Sequence, residues 1–122
     1  MLRIALIGHG KMGAALLAQW RKIDDRDFVN HHFFVIDPAA DLEAGGDFDR
    51  ITFLRAPPPV AESAFDLVIV AVKPQIVDAV LPDYASRLAE SGFVASIAAG
   101  CSLARLSALA GGVPVIRIMP NL

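Results

Sequence analysis

The 122 residues predict a doubly wound α/β fold of the Rossmann type, about six parallel strands in the order 3-2-1-4-5-6. Three observations carry this. Short apolar runs alternate with helical patterns or connectors along the chain. The first run opens straight into Gly8-His9-Gly10-Lys11-Met12-Gly13, the glycine spacing of a phosphate-binding turn. An acid, Asp37, then closes the second apolar run, where such folds hold a ribose.

Taken in order, Leu2 to Ile7 is long enough for a buried parallel strand. Each glycine after it has its own task. Gly8 lets the chain turn off the strand, Gly10 leaves the backbone bare where a pyrophosphate approaches, and Gly13 lets the next helix pack closely on the sheet. Met12, Leu16, Trp20 and Ile23 give that helix one apolar face. Its first turn offers free N–H groups and the positive dipole end to the phosphates.

Asp24 to His32 reads as a polar loop. The adjacent His31 and His32 invite a metal, but sequence neighbours project in different directions and no third ligand is spaced nearby, so no metal site is expected. Phe33 to Ile36 is the second strand, ending at Asp37-Pro38. Asp37 reads as the carboxylate that grips the adenosine ribose hydroxyls, the alternative being a turn-forming Asp before Pro. A carboxylate about 4 Å from a ribose phosphate costs on the order of 1 to 4 kcal/mol in a wet site. No arginine in Pro38-Ala39-Ala40 offsets it, so NAD(H) is expected over NADP(H).

Asp41 to Arg50 contains Gly45-Gly46 and allows only a short, frayed helix. Ile51 to Leu54 is the third strand, followed by Arg55 and the stiff extended connector Ala56-Pro57-Pro58-Pro59. Phe65 to Val72 is a continuous, largely β-branched run that belongs in mid-sheet, covered on both faces. Lys73-Pro74 then starts a helix with Val77, Val80, Leu81, Tyr84 and Leu88 on one face, which Pro82 should kink or split. Phe93 to Ile97 is the fifth strand and ends in Ala98-Ala99-Gly100, small enough for a flat ring to approach, unless Gly100 is a simple turn. Ser102 caps a short helix carrying Leu103, Leu106 and Leu109, closed by Gly111-Gly112. Val113 to Ile118 is the sixth strand, leading into Met119-Pro120-Asn121-Leu122. The glycine turn, Asp37, Lys73-Pro74, Ala98 to Gly100 and Pro120-Asn121 all fall at carboxyl ends of strands, where these sheets bind ligands.

A formal charge of -2 without a basic cluster gives no electrostatic support to a nucleic-acid or anionic-membrane partner. Cys101 alone excludes an internal disulfide and suits a reducing compartment, so a cytoplasmic location is expected. The N-terminus lacks a signal peptide's layout, and no apolar run approaches the roughly 20 residues of a bilayer span. The length fits one dinucleotide-binding domain over 1–122 and leaves no room for a substrate domain. With 55% apolar residues and a mean hydropathy of +0.52, a buried parallel sheet accounts for part of the hydrophobicity. An apolar surface meant for a second domain or a second copy accounts for the rest.

Ile4 to Gly13, Ala71-Val72-Lys73-Pro74-Gln75, Ser96-Ile97-Ala98-Ala99-Gly100 with Ser102-Leu103, and Arg117-Ile118-Met119-Pro120-Asn121 together resemble the N-terminal domain of pyrroline-5-carboxylate reductase. The likeness covers nearly the whole chain. It implies reduction of an imine to proline by hydride transfer from NAD(P)H. It also implies that Gly8, His9, Gly10, Lys11, Met12 and Gly13 hold the pyrophosphate, that Ala71, Val72, Lys73, Pro74, Ala98, Ala99 and Gly100 border the nicotinamide, and that Asn121 lies near the reacting ring. Lys73 and Asn121 are the candidate catalytic residues; Lys73 could act on a substrate carboxylate or the cofactor, or be a solvated lysine at a strand end. The chain departs from the family in three ways: it carries Asp37-Pro38 instead of an arginine-bearing turn, Cys101 replaces an aliphatic residue, and Leu122 precedes the Thr-Pro and helical dimerisation domain that follow in relatives. The chain alone is therefore expected to bind NADH with little turnover. The alternatives are a non-catalytic NAD(H)-binding module and the nucleotide half of another two-domain reductase, such as a β-hydroxyacid dehydrogenase or a deazaflavin-linked NADP reductase, the latter disfavoured by Asp37.

Overall fold

A computed structural model describes residues 2–8, 10, 13–15, 17–18, 31–38, 51–98 and 100–118. Its centre is a six-stranded sheet in the order β3-β2-β1-β4-β5-β6, with β1 at Arg3–Ile7, β2 at His32–Ile36, β3 at Ile51–Leu54, β4 at Phe65–Val70, β5 at Leu88–Ser96 and β6 at Val115–Arg117. All five neighbouring pairs run parallel. The predicted order and strand count stand.

Alternate side chains of the central strands go to two separate cores. Ala5, Ile7, Val68, Val70 and Val94 pack with Val77, Leu81 and Tyr84 of the Pro74–Ala85 helix and Leu106 of the Leu103–Leu109 helix. Ile4, Leu6, Phe33, Val35 and Ile69 pack on the other face with Leu17. Burial on both faces is why Ile4 to Ile7 of β1 and Leu67 to Val70 of β4 read as unbroken apolar runs. Ser102 caps its helix as expected, its side chain accepting from Arg105 N. Arg105 also bridges the two helices through Asp78 at 2.6 Å.

Several boundaries differ from the sequence reading. The helix from Pro74 ends at Ala85, so Leu88 lies in β5, which starts five residues before Phe93. The helix stops because Ser86 Oγ and Arg87 N turn back to the carbonyls of Asp83 and Tyr84, while Arg87 O accepts from Phe65 N and draws the chain into the sheet. Pro82 sits in the last turn of one continuous helix and does not split it. So near the end, one missing N–H donor interrupts little of the ladder. β4 ends at Val70, and Pro114, which has no N–H to offer, leaves β6 only three residues.

His31 and His32 have structural partners. His31 Nδ1 accepts from Leu2 N at 3.0 Å, and His32, the first residue of β2, lies 2.7 Å from Thr52 Oγ1 and stacks on Phe34. No helix among the described residues is long and apolar enough to cross a membrane. The Met12, Leu16, Trp20 and Ile23 stripe, residues 24–30, and the frayed helix expected over 41–50 lie outside the described residues.

Candidate functional site

The carboxyl ends of the strands form a fixed rim. Backbone N–H groups just past five of the six strands donate to the neighbouring strand: Gly8 to Ile36 O (2.9 Å), Asp37 to Leu54 O (2.9 Å), Ala71 to Ile7 O (2.8 Å), Ile97 to Val70 O (3.0 Å) and Ile118 to Ser96 O (2.8 Å). Loops that diverge in sequence are thereby held at one edge.

The glycine turn is closed towards the protein and open on its outer side. Gly8 has φ +97°, and a Cβ there would stand 3.0 Å from Ala71 O and from Val72 Cγ1. A Cβ on Gly13 would collide with the Gly8 carbonyl. A Cβ on Gly10 would meet nothing within 4 Å among the described residues, and Gly10 O accepts from Ala14 N at 2.8 Å in the helical pattern. Two glycines are required by the fold itself, whereas nothing among the described residues requires a glycine at Gly10. That open cradle at a helix start fits a phosphate group.

A cavity of about 440 Å³ runs from this turn along the Pro74–Ala85 helix, within the size range of small-molecule sites. Gly8, Gly10, Asp37, Ala71, Val72 and Lys73 line it. Six of the residues singled out from sequence thus share one cavity. Gly13, Pro74, Ala98 and Gly100 are not part of its lining; Gly100 lies beside Pro74, whose Cγ would be 3.9 Å from an added Cβ. His9, Lys11, Met12, Ala99 and Asn121 lie outside the described residues.

Sequence reasoning missed two contributors. Arg55, just past β3, borders the same cavity as Asp37, and its place at a third carboxyl end was the available signal. The helix adds Ile76, Val80 and Tyr84, spaced four apart on a stripe beside the core-facing Val77 and Leu81. Ile76 is 42% exposed in the chain alone, as a wall facing an open cleft would be. Pro57 forms part of the opposite wall. That proline connector is pinned by Arg87 Nε to Pro58 O at 2.9 Å and Ser63 Oγ to Pro59 O at 2.8 Å.

Tyr84 is 3% exposed. Burial pushes its phenol up to about 12, with the nearby Arg87 guanidinium opposing the shift. The hydroxyl therefore keeps its proton near neutral pH and can both donate and accept.

Residues 3–100 match the family of coenzyme F420-dependent NADP oxidoreductases. The pyrroline-5-carboxylate reductase of Pseudomonas aeruginosa is 35% identical over 122 residues, covering 98% of this chain and 43% of that protein. Among solved structures, 1-pyrroline-5-carboxylate reductase from Streptococcus pyogenes superposes with a TM-score of 0.66 at 27% identity, over 98% of this chain and 43% of that one. Pyrroline carboxylate reductase from Plasmodium falciparum, with NADP bound, superposes with a TM-score of 0.68 at 23% identity, over 98% of this chain and 42% of that one; at that identity the likeness shows the fold. The chain spans less than half the length of these reductases and matches their N-terminal, nucleotide-binding portion.

Proposed function

The chain belongs to the family of coenzyme F420-dependent NADP oxidoreductases, and from that membership we propose that it is the cofactor half of a reductase that adds hydride to the C=N bond of pyrroline-5-carboxylate. The observation that carries this is the bare backbone at Gly10, open towards a cavity that also reaches Asp37. The family model bears the deazaflavin-linked name, yet relatives matched across 98% of the chain are pyrroline-5-carboxylate reductases, which favours the imine.

In this reading Gly8, Gly10 and Gly13, with His9, Lys11 and Met12 between them, hold the pyrophosphate at the helix start, and Asp37 accepts from the adenosine ribose hydroxyls. Ala71 to Pro74 and Ala98 to Gly100 flank the nicotinamide, with Asn121 near the ring. A bound reduced nicotinamide supplies the hydride. The chain's part is to hold that ring and keep water from it. Lys73, exposed at the rim, offers its ammonium to a substrate carboxylate. Hydride delivered to the carbon of the protonated imine would push the C=N π electrons onto nitrogen, which stays in the ring as the secondary amine of the product, so no bond to nitrogen breaks and no further proton is needed. Substrate contacts and pairing with a second domain or second copy fall to a surface such as that around Leu103, Ile116 and Ile118, which are 40–49% exposed. A cytoplasmic location suits this chemistry and the lone buried Cys101.

The proposed cofactor is NAD(H) before NADP(H). The unfavourable Asp37–phosphate approach, on the order of 1 to 4 kcal/mol, is offset in part by Arg55 in the same cavity. NADH is therefore expected to bind about tenfold more tightly than NADPH, and Asp37→Ser, which leaves Arg55 in place, should erase or invert the preference. Fluorescence titration of both nucleotides against both proteins checks this. Equal dissociation constants in the unsubstituted chain would refute the assignment of Asp37.

A further inference from the structure

Tyr84 combines two properties that together point to a ligand. The residue is only 3% exposed and lines the cavity, yet its hydroxyl has no hydrogen-bond partner among the described residues. Buried hydroxyls are rarely left in that state, because each unmade bond costs about 1 to 3 kcal/mol. Phenylalanine would fill the same apolar position without that penalty. Of the charged groups nearby, Arg87 is engaged elsewhere, donating to the carbonyls of Pro58 and Asp83 while its guanidinium lies 6.0 Å from the Tyr84 ring centroid, and the Asp83 side chain borders the same cavity without a hydrogen bond to the phenol. The cleft between Ile76 and Val80 on one side and Pro38 and Pro57 on the other is apolar and suits a flat base.

We propose that the Tyr84 hydroxyl is the group that reads the polar edge of the adenine base at the inner end of this cleft. This rests on the dinucleotide reading above and adds a base-specifying residue to it. The ribose at Asp37 and the diphosphate at Gly10 fix one end of the adenosine. From there the base enters the apolar cleft, and its N1 and exocyclic amine meet the phenol, which donates to one and accepts from the other.

The test compares the unsubstituted chain with Tyr84→Phe against three probes: NADH, reduced nicotinamide mononucleotide, and NADH carrying an etheno bridge across N1 and the exocyclic amine. Tyr84→Phe is expected to weaken NADH about tenfold, leave the mononucleotide unchanged, and leave thermal stability of the free chain unchanged or slightly raised. The unsubstituted chain should bind the etheno analogue about tenfold less well than NADH, and Tyr84→Phe should not distinguish the two. Unchanged NADH affinity in Tyr84→Phe overturns the proposal while leaving the dinucleotide reading intact. Equal weakening of NADH and the mononucleotide also overturns it, since that marks a general distortion. Failure of the unsubstituted chain to bind NADH at all removes both.

Discussion

Gly13→Ala is expected to destabilise the folded chain by about 2–3 kcal/mol, lowering its unfolding midpoint by roughly 10 °C. The cause lies wholly within the protein. Gly13 packs against the Gly8 carbonyl so closely that any Cβ collides with backbone, which cannot swing aside as a side chain can. Gly8 cannot retreat, because its N–H is bonded to Ile36 O and its left-handed conformation packs it against Ala71 and Val72. Relief therefore means pushing the helical residues 13–15 away from the sheet and opening the core around Leu17, which is 2% exposed. Thermal unfolding followed by circular dichroism reads this directly. A Gly13→Ala chain as stable as the parent would show that the turn is looser than described.

Gly10→Ala should do the reverse. No atom of the described residues lies within 4 Å of the added methyl group and Gly10 has no left-handed φ to protect, so the midpoint should move by less than about 2 °C. The methyl would instead occupy the space assigned to the diphosphate. Overpacking of about 1–3 kcal/mol translates into a loss of NADH affinity approaching 100-fold. The pair separates two jobs within one motif: a glycine the fold needs and a glycine the ligand needs. Calorimetric titration and a melting curve on the same sample decide it, and undiminished affinity would place the phosphates elsewhere.

What could be read from sequence was whatever is local or periodic. β4 was legible because a strand covered on both faces is apolar along its covered stretch, here Leu67 to Val70, and the glycine turn because each glycine answers to a separate steric demand. The start of β5 was not legible: Leu88 continues the helical spacing of Val77, Leu81 and Tyr84, and only the bond from Phe65 N to Arg87 O, between residues far apart in the chain, moves it into the sheet. The same limit explains the site. Gly8, Gly10, Asp37 and Lys73 announce themselves at strand ends. Arg55 and Tyr84 join them only through the order β3-β2-β1-β4 and the face the Pro74–Ala85 helix presents. Tyr84 read as one more core residue, because apolar spacing cannot tell a ring packed only in the core from one that also borders a cavity.

The central claim is that this turn and this cavity together form a dinucleotide site, and a crystal structure of the chain grown with NADH tests it most directly. The expected result places the diphosphate against the backbone at Gly10, the adenosine ribose on Asp37 and the base between Pro57 and the Ile76–Val80 stripe. A cleft left empty at saturating NADH, or a dinucleotide bound on another face, would contradict it.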